Sequence, residues 1–379
     1  MTSSDALEAT EAGRNSRRRR AGVIGAVLGV TAAGVAAGVA AERLILRRTR
    51  MADTDLASEP FGRLPFDESL TLLTADGVDI HVEIVEPADG VNLPDDYQPP
   101  GITSHDEPTL VFVHGFCLDM GTFHFQRKEL TRQGEYRMVF YDQPGHGRSG
   151  RLSRGEYTLP MLARTLHTVI EEAVPDGPIV LVGHSMGGMT IMALAEEYPE
   201  LFGDRVRGVV FVSTSAGKLD EVNFGMPDVL ARFSRHLLPL VTTTGRATAG
   251  MIDAARRASS DLAWLLTRKY GFGSRKPDPA LVSYVERMNG RTSTEVVARY
   301  LRALYTHARF PALEALSEVR TLAICGDHDQ LTPLSHSEEI ARVLPDSKLV
   351  VVPEAGHVAL LEFPEIVNDA IETFLKEID

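Results

Sequence analysis

Beyond about residue 60 the chain alternates short, wholly apolar runs with longer stretches where apolar residues return every three or four positions. Residues 110–113, 138–141, 179–182 and 209–212 are too short for helices. They also lack the polar alternation of a half-exposed strand, so they predict strands buried on both faces. Residues 321–324 and 349–352 extend the set. Residues 70–74 and 80–85 are β-rich runs joined across Asp76-Gly77, a hairpin signal. Helical periodicity covers 159–173 and 189–198, whereas 88–108 is acidic and proline-rich and reads as a surface loop. Strands linked by helices predict an α/β architecture with a parallel sheet covered on both sides.

The rhythm breaks between 212 and 321. About a hundred residues pass without a convincing strand, while 229–238, 254–270 and 293–307 carry helical periodicity. The pattern predicts a helical cap inserted after a strand's C-terminal end, where ligands bind in open α/β sheets. An extra helical layer of the core is the alternative.

The first fifty residues form a different object. Arg17 to Arg20 precede the uncharged stretch 21–41, whose only polar residue is Thr31, and Arg47, Arg48 and Arg50 close the segment. Its length suits a bilayer core. Alanine and glycine dominate it, which makes insertion marginal, and Gly25/Gly29 and Gly34/Gly38 match a close-packing spacing. We expect residues 21–46 to form an apolar membrane-anchor helix behind a disordered basic tail, 1–20. A cleaved export signal of twin-arginine type and an Ala-rich helix of a cytoplasmic protein are the competing readings. Arginines flank both sides, so orientation stays open.

Charge sharpens the division. The 379 residues carry a net −13, but the first fifty hold nine arginines against four acids, so the rest stands at −18. An acidic body excludes nucleic acid as a partner, because phosphate binding needs a basic face. Two cysteines, Cys117 and Cys325, give neither a disulfide framework nor a C-x-x-C motif, and read as two buried free thiols. No metal or cofactor is expected. Oligomeric state is not legible.

Chemistry concentrates in five segments. Gly183-His184-Ser185-Met186-Gly187 is G-x-S-x-G between a predicted strand and helix. A serine on so sharp a turn needs small neighbours two residues away on either side, and the helix N-terminus behind it favours developing negative charge. His114-Gly115-Phe116-Cys117 ends another strand. Its loop suits a second oxyanion donor, the N–H of Phe116, beside that of Met186. His114 itself is expected to shape the loop by hydrogen bonds. Asp327 and Asp329 both follow the strand at 321–324, and either carboxylate can orient a histidine. His357 follows the strand at 349–352 and supplies a base suited to neutral pH. Gly145-His146-Gly147-Arg148-Ser149-Gly150 matches a dinucleotide fingerprint literally, but no helix opens directly from it. We read a tight loop beside the site, with His146 satisfied inside it.

The segments HGF at 114–116, DQPGHGRSG at 142–150, GHSMGG at 183–188, GDHDQLTP at 326–333 and AGH at 355–357 together resemble the α/β-hydrolase fold superfamily, over residues 60 to 379. The order serine, acid, histidine along the chain is the one that family uses. The resemblance implies a mostly parallel eight-stranded sheet flanked by helices, with core residues 60–214 and 318–379 interrupted by a cap at 215–317. It implies catalytic Ser185, Asp329 and His357, favouring Asp329 over Asp327, and an oxyanion hole from the N–H groups of Phe116 and Met186. The expected activity is serine hydrolysis of carboxylic esters or thioesters of a small, apolar acyl substrate. Haloperoxidase-like, perhydrolase or C–C bond hydrolase chemistry on the same triad is the alternative, and a catalytically inactive binding protein on this fold is the alternative from another class. Epoxide hydrolases and dehalogenases of this family place aspartate where Ser185 stands. The acid position after the sixth strand, used by some relatives, holds only Ser213-Thr214-Ser215-Ala216. Trp264, Leu265, Leu266, Phe224 and Phe233 can line an acyl pocket or form the core of the cap.

Overall fold

The computed structural model describes residues 54–88, 107–219, 260–344 and 346–378. The hairpin comes first. Strands β1 (Glu68–Leu73) and β2 (Asp79–Val85) pair antiparallel across a turn where Gly77 takes φ 73° and donates to the Thr74 carbonyl. Then follow β3 (Thr109–Val113), α1 (His124–Gln133), β4 (Met138–Tyr141), α2 (Leu159–Ala173), β5 (Ile179–His184), α3 (Met186–Glu197) and β6 (Val206–Val212). After the interruption come α4 (Ser260–Gly271), α5 (Pro279–Arg291), α6 (Thr294–Tyr305) and α7 (Ala312–Leu316). The chain closes with β7 (Arg320–Gly326), α8 (Leu334–Val343), β8 (Lys348–Val352), α9 (Ala359–Glu362) and α10 (Pro364–Ile378).

The strands form one sheet in the order β1-β2-β4-β3-β5-β6-β7-β8. Only the β1–β2 and β2–β4 pairings are antiparallel. Every residue of β3, β4 and β5 is buried, as continuous apolar runs require when helices cover both faces. The two faces separate by alternation along the strands. Val111, Val113, Val139, Tyr141, Leu181 and Phe211 share a core cluster with α2, α3 and α7. Phe112 and Phe140 point the other way, stacked with ring centroids 4.4 Å apart, and Arg127 of α1 lies over Phe140.

All eight predicted strands are present; the chain leaves β3 towards β4 on one side and leaves β5 towards β6 on the other, so the order reverses between the neighbours β3 and β5, and the loops after their carboxyl ends face each other there. Helix α3 begins at Met186 rather than at residue 189, because Gly187 and Gly188 lie inside the helix. They are there for close approach: a Cβ on Gly187 would lie 2.6 Å from the Val113 carbonyl carbon, and one on Gly188 would meet Thr214 Oγ1 at 2.5 Å. Helices α1, α5, α7, α8, α9 and α10 were not anticipated. The predicted helix at 229–238, part of that at 254–270, the apolar segment 21–46 and the tail 1–20 lie outside the described residues. Among the described residues no helix is long and apolar enough to cross a membrane.

Helices α4 to α7 connect β6 to β7. Trp264 is buried and donates from Nε1 to Ser283 Oγ at 3.1 Å, tying α4 to α5. It is core of the insert rather than a pocket wall; Leu266 points outward, and Phe224 and Phe233 lie outside the described residues. Tyr300 of α6 fastens the insert to the sheet domain. Its hydroxyl donates to the Pro144 carbonyl at 2.7 Å, and its ring stacks on Tyr157 at 4.2 Å. Ala312, Leu313 and Leu316 of α7 join the core cluster beside α3, so this last helix belongs to the sheet's flanking layer.

Candidate active site

Ser185 occupies the single residue between β5 and α3, at φ 53° and ψ −118°. A non-glycine residue is strained there, and such strain persists only where the surroundings enforce it. Here they do. The Ser185 N–H donates to the Val212 carbonyl at 2.9 Å, and its carbonyl accepts from Thr214 Oγ1 at 2.7 Å. Gly183 is forced by the same crossing, since a Cβ there would meet the Gly188 nitrogen at 2.7 Å. The serine hydroxyl is thereby lifted off the end of the sheet.

His357 and Asp329 reach it from the ends of β8 and β7. His357 Nε2 lies 2.9 Å from Ser185 Oγ, and His357 Nδ1 lies 2.9 Å from Asp329 Oδ2. Asp329 Oδ1 accepts the N–H groups of Leu331 and Thr332, and Oδ2 accepts from Thr332 Oγ1. Burial by itself would raise this carboxyl. Electrostatic attraction to the adjacent imidazole and its hydrogen bond, with those from Thr332, hold it below the usual carboxylate range. An ionised Asp329 accepts only, so His357 carries its proton on Nδ1 and presents bare Nε2 to the serine. That nitrogen can take the hydroxyl proton. Asp327 turns away and accepts the Glu354 N–H at 2.7 Å, which makes it a turn residue. The three groups are nearly dry: Ser185 is 9%, Asp329 5% and His357 6% exposed.

The loop after β3 presses on the serine. A Cβ on Gly115 would lie 2.8 Å from His184 Nδ1 and 3.1 Å from Ser185 Cβ. Hydrogen bonds fix the loop on both sides of Phe116. His114 donates from Nδ1 to the Gly115 carbonyl at 2.8 Å and accepts the Gln143 N–H on Nε2. His146 Nε2 accepts the Cys117 N–H at 3.1 Å. Among the described residues no acceptor takes the N–H of Phe116 or of Met186. Burial lowers both His114 and His146, the latter to about 3, so both stay neutral. Both therefore shape loops, as their sequence context predicts. The loop 145–150 closes on itself through the Gly145 N–H and the Gly150 carbonyl, 2.7 Å apart, and no helix opens until Leu159. Cys325 is buried, but Cys117 is only half-buried, at φ 60° in the Phe116 loop.

Sequence reasoning passed over His184. Its Nε2 donates to the His357 carbonyl at 2.9 Å, so the residue preceding the serine also tethers the loop of the distant histidine. Burial lowers His184 to about 3, which keeps it a neutral, single-direction donor. Thr332, bonded to Asp329 and 3.2 Å from His357 Nδ1, was passed over too, although the motif contains it. Among the described residues no group of His, Cys, Asp and Glu is arranged to hold a metal.

Comparison with known proteins identifies the fold family. The acetyltransferase component of an acetoin cleaving system from Pseudomonas putida is 28% identical over 277 residues, 71% of this chain. This chain spans 63% of that relative's length. A pimeloyl-[acyl-carrier protein] methyl ester esterase from Nitrosomonas europaea is 27% identical over 69% of this chain and 94% of its own. A solved esterase from Thermogutta terrifontis superposes with a TM-score of 0.59 at 24% identity, covering 82% of this chain and 99% of that one. Residues 108–364 match the alpha/beta hydrolase fold family as a whole, which takes in β3 through the histidine loop. By that match, and by a sheet order and serine turn that agree with it, the chain belongs to the alpha/beta hydrolase fold family.

Proposed function

We propose that this protein is a serine hydrolase of carboxylic esters or thioesters, with Ser185 as nucleophile, His357 as general base and Asp329 as its orienting carboxylate. One observation carries the reading: an unbroken hydrogen-bonded line from Ser185 Oγ through both imidazole nitrogens to Asp329 Oδ2, each step 2.9 Å. Ser185 Oγ attacks the substrate carbonyl carbon as its proton moves to His357 Nε2. The tetrahedral oxyanion is held by the N–H groups of Phe116 and Met186. Collapse breaks the bond to the leaving alcohol or thiol, which takes the proton from His357. Water then attacks the acyl-enzyme, giving its proton to His357, and the acid departs as Ser185 regains its own. The esterase relatives support this reaction class, and the burial of the serine and histidine favours an uncharged acyl group.

The test is hydrolysis of a p-nitrophenyl ester series of increasing acyl length by the full-length protein and by Ser185→Ala. Turnover that is lost in the variant sustains the reading, and equal turnover in both removes it. We propose further that residues 21–46 hold the enzyme at a membrane, on the strength of their uncharged length and flanking arginines. Extraction of the full-length protein from a membrane pellet by detergent but not by salt is the expected result. Release by salt, or recovery in the supernatant, counts against anchoring.

A further inference from the structure

The loop that carries His357 is bolted down at three consecutive residues, and two of the bolts lead into the helical insert. The Val358 N–H donates to the Gly271 carbonyl at 3.0 Å, where α4 ends. The His357 carbonyl accepts from His184, as described above. The Gly356 N–H donates to Glu362 Oε2 at 2.8 Å. Glu362 sits at the end of α9, which Val358 caps and which folds back over the loop, since the Glu362 N–H returns to the Val358 carbonyl.

The same carboxylate reaches the insert. Glu362 Oε2 also accepts the Gly273 N–H at 3.0 Å, and Oε1 accepts the Ser274 N–H at 2.7 Å. Among the described residues no Lys, Arg or His forms an ion pair with it. Its charge is therefore spent on three backbone donors, and hydrogen bonds to an ionised acceptor are about twice as strong as neutral ones. The backbones it joins are in van der Waals contact. A Cβ on Gly273 would lie 2.5 Å from the Ala355 carbonyl carbon and 2.6 Å from the Gly356 nitrogen, and one on Gly356 would meet the Gly273 nitrogen at 2.5 Å.

We propose that Glu362 is a positioning residue for His357, and that it does this by locking the α4–α5 connection of the insert to the histidine loop. The insert is then part of what sets the distance from His357 Nε2 to Ser185 Oγ, and not only a roof over substrate. This inference rests on the reading of His357 as the base. Displacing a reacting group by about 1 Å can cost on the order of a hundredfold in rate. Loosening Gly356 and Val358 together acts on the backbone atoms either side of the imidazole.

Two variants approach the junction from opposite sides. Glu362→Gln keeps the shape but leaves one oxygen, so at least one N–H faces an amide NH2. Gly273→Ala leaves the carboxylate intact and pushes the insert off the loop. Each is expected to lower kcat for a short p-nitrophenyl ester by roughly ten- to a hundredfold, with KM changed less than about twofold. Hydrogen exchange is expected to accelerate in peptides spanning 271–275 and 355–358, and to stay unchanged in β3, β5 and β6. Wild-type kcat in both variants overturns the proposal while leaving Ser185 and His357 in their roles. A raised KM at constant kcat also overturns it, as does exchange that accelerates throughout the sheet, which would mark a general loss of stability. If the wild-type protein turns over no ester, the base assignment fails on its own. The exchange pattern then still decides whether Glu362 locks the two segments.

Discussion

Replacing Asp329 by asparagine is an isosteric change with a consequence fixed by the surrounding hydrogen bonds. Oδ1 accepts two backbone N–H groups, from Leu331 at 2.8 Å and Thr332 at 3.0 Å. An asparagine must keep its carbonyl oxygen there, because the alternative points an NH2 at two donors inside a dry site. The NH2 then stands where Oδ2 was, 2.9 Å from His357 Nδ1. Nδ1 must become the acceptor, so the imidazole proton moves to Nε2 and faces the serine hydroxyl, and the base has lost its lone pair. In a serine protease the equivalent change lowers kcat about 10⁴-fold, which at about 1.4 kcal/mol per decade is roughly 5.5 kcal/mol of barrier. We expect a similar fall in kcat here, with KM nearly unchanged and a folded, cooperative melt. Asp327→Asn is the matched control. Its carboxylate serves only the Glu354 N–H within the described loop, so activity is expected within about threefold of wild type. Steady-state kinetics on one short ester and a thermal melt measure both variants. Retention of more than a tenth of wild-type kcat by Asp329→Asn, or an equal loss in Asp327→Asn, refutes the reasoning.

Three other outcomes follow from the same geometry. Ser185→Gly abolishes turnover yet raises urea-unfolding stability by about 1 kcal/mol, because glycine adopts φ 53° without strain; a destabilised variant contradicts this. Gly187→Ala forces a methyl against the Val113 carbonyl and is expected to cost at least about 2–3 kcal/mol in the same assay. Stability also falls on acidification from pH 7 towards 4. Burial lowers His146 and His184 to about 3 and His307 to about 4, against an ordinary 6.5. In that window the unfolded chain binds protons that the folded chain excludes, so each histidine removes up to about 2 kcal/mol by pH 5. A urea midpoint that stays level from pH 7 to pH 5 counts against buried neutral imidazoles.

How much could be read in advance depends on whether a constraint is local in the chain. Ser185 was legible because the turn demands glycines at fixed short offsets, and strand and helix signals flank it. The sheet was legible because burial on two faces writes continuous apolar runs such as 110–113 and 179–182. The choice between Asp327 and Asp329 was not settled by spacing, since both leave the same strand end. What separates them is the direction each side chain takes in the turn, and that is set by the N–H groups of Leu331, Thr332 and Glu354. Helix α5 had an Asp278-Pro279 start signal, with Asp278 capping the Ala280 N–H, but lay in a stretch read as a break in the rhythm. Helix α3 was read three residues short because Gly187 and Gly188 look like helix breakers until their neighbours across the sheet are known. The ties made by His184 and Glu362 left no trace, because their partners are backbone groups more than eighty residues away in most cases, and a backbone amide has no sequence signature.

The central claim is that the Ser185 oxygen is made nucleophilic by the imidazole beside it. Reaction of the full-length protein with a fluorophosphonate probe, followed by peptide mass spectrometry, measures this directly. The account predicts stoichiometric phosphonylation at Ser185, and labelling at least a hundredfold slower in His357→Ala. No adduct, an adduct on another residue, or an undiminished rate in His357→Ala would contradict it.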